Sequence, residues 1–173
     1  MEVAKGVRRL TQGVTNFYLV EEGGKLLLVD AGTPGDWELL ARAVSTLPYE
    51  LDALDTVLLT HAHADHTGFA ERARTTANAR VWIHEADEQP VTTGQLGKPD
   101  GRMSSYLLRP QLYKTMLSLA RRGASKVVPV HEVSTFADGE ALDLPGHPRV
   151  VHAPDHPGHV CAPGRGAPHP VRG

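Results

Sequence analysis

The sequence predicts an α/β fold with mixed sheets, built from a chain of 173 residues that we expect to form one main domain. In its first half, short apolar runs typical of strands alternate with runs of helical periodicity. From residue 126 onward, several strand-like runs follow one another and are joined by turn residues. Alternating strands and helices followed by consecutive strands are typical of layered folds in which helices cover mixed sheets.

The first predicted elements are a hairpin and a helix. Residues 14–20 and 26–29 have strand character, and the charged, glycine-containing turn between them predicts a β-hairpin. Asp36 is placed to cap the helix that follows, and Pro48 ends it. The apolar face of this helix consists of residues at helical spacing: Leu39, Leu40, Ala43, Val44 and Leu47.

The later elements follow the same signals. Residues 56–60 and 80–84 are predicted strands, and a helix is expected between them from near Gly68 to about Thr75. A polar stretch within 89–110, rich in Gly and Pro, is interpreted as a long loop that carries specificity. The remaining predictions are a helix from Pro110 to Gly123 and strands at 126–130, 133–136, 140–144 and 149–152.

Composition narrows the function classes. A hydrophobic content of 40%, a charged content of 22% and a formal charge of -2 are ordinary for a globular protein and favour neither nucleic acid nor an anionic membrane as partner. No apolar run approaches a membrane span, and the N-terminus lacks the apolar region of a signal peptide. With a single cysteine, Cys161, we expect no intrachain disulfide and a cytoplasmic location.

The chemistry-bearing segment is the sequence LLTHAHADHTG, residues 58–68. It places His61, His63, Asp65 and His66 directly after an apolar strand. In extended backbone His61, His63 and Asp65 would project to one side and His66 to the other. Imidazoles and carboxylates are ligands that zinc accepts, so the segment predicts a metal site at the carboxyl end of a strand.

This segment resembles the HxHxDH signature of the metallo-β-lactamase superfamily. Two weaker matches occur in the expected order: residues 27–32, LLVDAG, resemble the family's second strand with its Asp-x-Gly turn, and residues 151–160, VHAPDHPGHV, resemble its HTPGHTPGH segment. The resemblance covers about residues 14–160 and implies an αββα sandwich with mixed sheets, whose second half is incomplete in this chain. We accordingly expect a family-like domain over residues 1–160 and an irregular tail over 161–173.

The resemblance also implies a ligand set. His61 and His63 match ligands of the family's first metal, and Asp65 and His66 match ligands of the second. The third ligand of the first metal is assigned to His156, with His159 as the alternative because Pro157-Gly158-His159 also spells the family's tripeptide.

A site of this kind would hold two Zn²⁺ ions in its complete form, and iron is the alternative metal. Zinc lowers the pKa of bound water toward neutrality, so the expected reaction is hydrolysis by a zinc-activated hydroxide that Asp65 orients. The expected substrate is a small molecule with an ester-like bond, with a thioester or a lactone favoured.

Other residues have weaker interpretations. Asp30 is expected to hydrogen-bond a ligand histidine, and the alternative is a turn or helix-capping aspartate. His84 and His131 follow strands and can edge the cleft, although surface or core histidines are the commoner case. Phe17 and Trp82 are interpreted as core residues, and Cys161 as structural or incidental.

The end of the sequence departs from the family pattern. No aspartate follows Asp155, although the family carries a metal-bridging aspartate and a further histidine later in the chain. The last 13 residues are rich in Pro and Gly, which favours a truncated or frame-slipped chain over a native short form. The alternative function is therefore a catalytically weak or inactive metal-binding fragment, marginally stable on its own.

Overall fold

The computed structural model describes residues 1–13, 15–95, 117–123, 128–142 and 144, together with the backbone of 149–150. A seven-stranded sheet dominates this part of the chain, and its strands lie side by side in chain order. They are β1 (Glu2–Ala4), β2 (Val7–Gln12), β3 (Thr15–Glu22), β4 (Lys25–Val29), β5 (Leu54–Leu58), β6 (Arg80–His84) and β7 (Ser134–Phe136). Strands β1 to β4 pair antiparallel, whereas β4 to β7 pair parallel, so the sheet is mixed.

Helices connect the parallel strands. They are α1 (Trp37–Val44), α2 (Ala70–Ala77) and α3 (Glu88–Thr93), and residues 117–121 are also helical. A two-stranded antiparallel sheet of β8 (Ala141–Leu142) and β9 (Arg149–Val150) follows the large sheet. Among the described residues, no helix is long and apolar enough to cross a membrane.

The core divides between the two faces of the large sheet. One face packs under α1 and α2 and forms the main cluster, to which Leu26, Leu28 and Phe17 contribute. The opposite face carries a smaller cluster, against which Trp82 packs. Its buried members are Leu27, Leu58, Phe136, Leu142 and Leu144. The core interpretations of Phe17 and Trp82 are thereby confirmed, and the alternation of Leu26, Leu27 and Leu28 between faces is that expected of a strand buried on both sides.

Several predicted boundaries are displaced for reasons visible in the hydrogen bonds. The strand predicted at 56–60 ends at Leu58, because the backbone N–H of Thr60 donates to the Asp30 carboxylate (2.9 Å) instead of to a neighbouring strand. The helix predicted from Gly68 begins at Ala70, and Asn78 ends it with a left-handed φ of 54°. Helix α1 stops at Val44, where Leu47 N donates back to Val44 O (2.9 Å) in a tighter turn.

Other predictions were incomplete or wrong. The N-terminal strands β1 and β2 were not predicted, because β1 is exposed throughout and Leu10 is the one buried residue of β2. Residues 89–93 of the predicted long loop are helical, since Pro90 lies in the first turn of α3 where no N–H partner is needed. Residues 128–130 form no strand, and Val130 N bonds Val91 O (3.1 Å) instead.

The strands predicted at 80–84, 133–136, 140–144 and 149–152 correspond to β6, β7, β8 and β9. Strands β7 and β8 are shorter than predicted, and residues 151–152 lie outside the described residues. The described end of the helix predicted from Pro110 to Gly123 is helical over 117–121. The start of that helix, the rest of the predicted loop and the tail at 161–173 lie outside the described residues.

Asp36 has a different role from the one predicted. Its carboxylate is fully buried and does not cap α1. Oδ2 instead accepts from the backbone N and the Oγ1 of Thr33, both at 2.8 Å, within the 3-10 turn Pro34–Asp36. Nη1 of Arg122 lies 3.4 Å from Oδ1 and supplies the opposite charge. The pairing fixes the turn that follows Asp30–Thr33 and attaches the segment containing Arg122 to it.

Candidate metal centre

The chemistry-bearing residues gather at one edge of the large sheet. Because β4, β5 and β6 are parallel, their carboxyl ends meet at the same edge. Asp30 follows β4, the segment containing His61 to His66 follows β5, and His84 ends β6. The fold therefore brings Asp30 next to a histidine cluster that lies about thirty residues later in the chain, as the contact between Asp30 and Thr60 shows.

Asp30 is the centre of a hydrogen-bond network. It is 6% exposed and has a φ of 63°, a left-handed conformation in which aspartate is one of the few tolerated residues. Its Oδ1 accepts from Thr60 N at 2.9 Å and from Thr60 Oγ1 at 2.8 Å. Its Oδ2 lies 2.8 Å from Nδ1 of His66, which must donate because a carboxylate only accepts. Asp30 therefore bonds residues of the loop after β5, whereas a turn or helix-capping aspartate would bond residues close to it in the chain.

Thr60 extends the network to a second histidine. Its Oγ1 lies 2.9 Å from Nδ1 of His61 and also contacts the Asp30 carboxylate. Since the hydroxyl has one proton and gives it to the carboxylate, Nδ1 of His61 is the donor to Oγ1. Both His61 and His66 are thus held through Nδ1, which makes Nε2 the ring nitrogen suited to ligate a metal.

The histidine segment is folded into a turn and is not extended as expected. His66 N and Thr67 N both donate to His63 O, at 2.9 and 3.0 Å, and Thr67 Oγ1 adds a third bond at 3.1 Å. The turn brings the His66 ring to 4.0 Å from the His61 ring, measured between centroids, instead of pointing it away. The His63 ring lies 4.4 Å from the His61 ring, nearly perpendicular to it.

Backbone bonds attach this turn to the loop after β4. Ala31 N donates to His66 O (2.6 Å), Gly68 N to Gly32 O (2.8 Å) and Phe69 N to Ala31 O (3.0 Å). The two loops approach so closely at Gly68 that a Cβ there would lie 2.5 Å from Gly32 O. Glycine is therefore needed at position 68 because it leaves room for the neighbouring backbone.

The electrostatics of the network favour positive charge on His66. Burial lowers the pKa of the His66 imidazole, but the hydrogen bond to Asp30 and the negative charges of Asp30 and Asp65 outweigh burial and raise the pKa above its usual value. Oδ2 of Asp65 is 3.8 Å from Nε2 of His66. A cation bound at this nitrogen would meet the same negative charges of Asp30 and Asp65.

The predicted ligands differ in exposure and in how far the structure describes them. His61 is buried at 7% exposure, His66 and Asp65 are half-buried, and His63 is exposed. Within the described ranges, no group of three or more His, Cys, Asp or Glu side chains is arranged to hold a metal ion. The predicted third ligand His156 and the alternative His159 lie outside those ranges. The ligand set stays a prediction, and its imidazole and carboxylate donors fit zinc by chemistry.

The two histidines expected to edge the cleft, His84 and His131, both lie within the described residues. His84 contacts Phe136 edge-on, with ring centroids 5.6 Å apart, and its Nδ1 accepts from Ala86 N at 3.2 Å. His131 is exposed, and its backbone N bonds the Glu71 side chain. Thr60 was missed as a site residue, although its position directly before the HxHxDH segment was a signal available in the sequence. Cys161 lies outside the described residues.

Comparison with known proteins identifies a family and relatives that match this chain. A family model described as the metallo-beta-lactamase superfamily matches residues 10–165. A probable metallo-hydrolase, YflN of Bacillus subtilis (strain 168), is 33% identical over 107 residues, which cover 60% of this chain and 40% of that protein. The atrochrysone carboxyl ACP thioesterase nsrC of Aspergillus novofumigatus (strain IBT 16806) is 37% identical over 93 residues, covering 50% of this chain and 28% of that protein.

A solved structure supports the fold. The Rm3 metallo-beta-lactamase superposes with a TM-score of 0.68 at 20% identity, covering 90% of this chain and 52% of that protein. The mixed sheet with helices on it thus matches the αββα fold that the resemblance implied. The chain spans about half the length of that protein and less than half the length of the two relatives above.

Proposed function

The chain belongs to the metallo-beta-lactamase superfamily, and from that premise we propose that it is a zinc-dependent hydrolase of ester-like bonds, with a thioester or a lactone as the favoured substrate. The observation that carries the proposal is the buried carboxylate of Asp30, which contacts His66 directly and His61 through Thr60. A structural histidine cluster has no need of a carboxylate that orients two imidazoles through Nδ1, whereas metal-binding histidines are usually held in this way.

In this proposal, His61, His63 and His156 hold one zinc ion, and Asp65 and His66 contribute to a second. Bound zinc would supply a water of lowered pKa and a positive charge that polarises the bond to be cleaved. Asp65 is half-buried beside His66, so its carboxylate can accept a proton from the attacking water at the mouth of the cluster. Asp30 and Thr60 keep the imidazoles oriented and do not touch the substrate.

The substrate class is supported by the relatives. One bears the name of a thioesterase and another that of a probable metallo-hydrolase, at 37% and 33% identity respectively. Thioesters and lactones share an activated carbonyl carbon, and cleavage of both requires stabilisation of an oxyanion. We therefore rank carbonyl substrates above phosphodiesters.

The test is a panel of a thioester, a lactone, a β-lactam and a phosphodiester, each assayed with the zinc-loaded protein and with the Asp65→Asn variant. We expect zinc-dependent turnover of the thioester or the lactone, and a fall of about 100-fold or more in the variant because a positioned base is lost. His131→Asn is the matched control, since His131 is exposed and lies outside the cluster. Turnover of the phosphodiester alone would overturn the proposal.

A second candidate is a metal-binding protein with little catalytic power. It is favoured by the ligand assignment from the resemblance, in which only Asp65 and His66 match the second metal. Elemental analysis separates the two candidates, because a working binuclear enzyme would hold about two zinc ions per chain. A value near one, lost on His61→Ala, would favour the second candidate, and well-folded protein without metal would contradict both.

A further inference from the structure

His84 has one ring nitrogen, Nε2, whose burial neither the core nor the metal cluster explains. Strand β6 lies beside β5, with Trp82 opposite Leu58 and Leu59 N bonded to Trp82 O at 2.9 Å. His84 and Thr60 each lie two residues further along the chain than Trp82 and Leu58, so both are at the same edge of the sheet. His84 is thus the neighbour, one strand away, of the network that orients His61 and His66.

The hydrogen bonds of His84 define which ring nitrogen carries the proton. Its Nδ1 accepts from Ala86 N at 3.2 Å and so caps the turn Glu85–Asp87. A ring nitrogen that accepts a hydrogen bond has no proton, so the ring proton is on Nε2. The ring is also held edge-on against Phe136, which leaves it little rotational freedom.

Nε2 of His84 is a buried donor without a hydrogen-bond acceptor among the described residues. Leaving a buried donor unpaired costs free energy, and such groups in native proteins call for an explanation. A group that pairs only when a ligand is present is one such explanation. Its position at the sheet edge that also carries Thr60 suits a ligand that brings an acceptor oxygen to this edge.

We infer that His84 is a substrate-binding residue, which donates from Nε2 to a carbonyl oxygen of the substrate other than the one at the scissile bond. This inference rests on the proposed function and narrows it, because it selects thioesters or esters that carry a second acceptor, such as an amide, in the leaving group. His84 positions the substrate through this bond and takes no part in proton transfer.

Two thioesters test the inference: S-butyryl-N-acetylcysteamine, which has an amide carbonyl, and S-ethyl thiobutyrate, which lacks one. The loss variant is His84→Asn, since asparagine retains an acceptor able to cap the turn but does not reach the position of Nε2. His84→Gln is the rescue variant because its amide N–H reaches further. With zinc-loaded protein, we expect the wild type to favour the amide thioester by about tenfold in kcat/KM, mainly through KM.

The preference should disappear in His84→Asn and be largely restored in His84→Gln, at unchanged zinc content. A second measurement does not depend on turnover: NMR of metal-free, ¹⁵N-labelled protein should show the proton of His84 on Nε2, and a shift of that signal with the amide thioester but not with the other. The exposed His131 serves as the internal control in the same spectra.

The outcomes separate the two hypotheses. Zinc-dependent turnover with the same preference in His84→Asn and in the wild type would overturn the role of His84 and leave the proposed function standing. No turnover, together with the His84-specific shift, would overturn the proposed function and retain a binding role for His84. A proton on Nδ1, or no shift with either thioester, would overturn the inference irrespective of activity.

Discussion

Oδ2 of Asp30 lies 2.8 Å from Nδ1 of His66, although the two residues are separated by 36 positions in the chain. The other oxygen of the same carboxylate accepts from Oγ1 of Thr60, which in turn contacts Nδ1 of His61. One buried carboxylate thus orients two histidines, one directly and one through a hydroxyl. Neither Asp30 nor Thr60 is among the predicted ligands, yet zinc affinity should depend on both. It should depend more on Asp30, which orients two histidines, than on Thr60, which orients one.

The first prediction concerns Asp30→Asn. Asparagine fits the left-handed φ of 63° and has the same shape, but it lacks the charge that holds the Nδ1 proton of His66. We expect zinc affinity to fall by about 10- to 100-fold, the usual effect of losing such a partner of a ligand histidine. Competition with a chromophoric chelator measures the affinity, and circular dichroism of the metal-free variant checks that the fold is retained.

Asp52→Asn is the control for charge alone, because Asp52 lies in the 3-10 turn before β5, at the opposite end of that strand. Its zinc affinity should equal that of the wild type. Equal affinity in Asp30→Asn and Asp52→Asn would show that the carboxylate of Asp30 has only a structural role.

The second prediction concerns Thr60→Val, which is nearly isosteric. It removes the only hydroxyl between Asp30 and His61 but leaves the bond between Asp30 and His66 in place. We expect a fall in zinc affinity of about threefold to tenfold, smaller than for Asp30→Asn, because only one of two histidines loses its partner. Thr60→Ser keeps the hydroxyl and should bind zinc like the wild type. If zinc affinity fell more in Thr60→Val than in Asp30→Asn, it would contradict the conclusion that Asp30 orients both histidines and Thr60 only His61.

The sequence predicted those features that depend on local patterns. The hairpin of β3 and β4 and the strand β6 follow from apolar runs and turn residues, and the histidine segment was placed at the end of a strand by the residues before it. The expected partnership of Asp30 with a ligand histidine is compatible with its bond to His66. Its role toward a metal stays a prediction.

The sequence did not predict features that depend on long-range contacts. That Thr60 links Asp30 to His61 becomes visible only when β4 and β5 are known to lie side by side. This pairing brings the Asp30 carboxylate within reach of the backbone N–H of Thr60. Strand β5 ends at Leu58, and a turn then brings His66 to His61. Both features have the same cause, because the backbone after Leu58 forms tertiary hydrogen bonds and so is not extended. The buried pairing of Asp36 with Arg122 joins positions 86 residues apart and has no local signal.

The third prediction concerns Gly68→Ala. The added Cβ would lie 2.5 Å from both Gly32 O and Thr33 Cα, which are backbone atoms and cannot rotate away. We expect the free energy of unfolding to fall by about 1–3 kcal/mol, as for other overpacked sites, and zinc affinity to fall with it because the loops that hold Asp30 and His66 separate. Urea denaturation of the metal-free protein measures the first effect.

Gly24→Ala is the matched control for Gly68→Ala. A Cβ at Gly24 would meet no atom within 4 Å, and the cost there comes only from its φ of 77°, about 1 kcal/mol. This variant should be less destabilised than Gly68→Ala and should bind zinc normally. The close approach of the two loops would be contradicted if Gly68→Ala proved as stable as the wild type.

The fourth prediction uses Asp55, at the opposite end of β5 from the histidine cluster. Burial raises the pKa of its carboxyl, but bonds from Lys25, from Arg80 (2.8 Å) and from Thr56 (2.8 Å) outweigh burial and lower the pKa to about 2. Lys25 and Arg80 belong to β4 and β6, so the carboxylate links three adjacent parallel strands. A carboxyl whose pKa is lower in the folded state stabilises the protein above its usual pKa and loses that effect as pH falls.

We therefore expect Asp55→Asn to lower the free energy of unfolding at pH 6 by on the order of 1 kcal/mol, a value reduced for the exposure of its partners. The difference between wild type and variant should shrink as pH falls from about 4 to about 2, where the wild-type carboxylate takes up its proton. Urea denaturation of the metal-free proteins at several pH values across this window measures the difference. Glu38→Gln is the control, since Glu38 is 68% exposed and lies 4.0 Å from Arg72, with which it forms an ion pair at the surface. The Glu38→Gln variant should change the free energy of unfolding little at any pH. If the difference for Asp55→Asn stayed constant down to pH 2, the linkage of the three strands would not depend on the charge of Asp55.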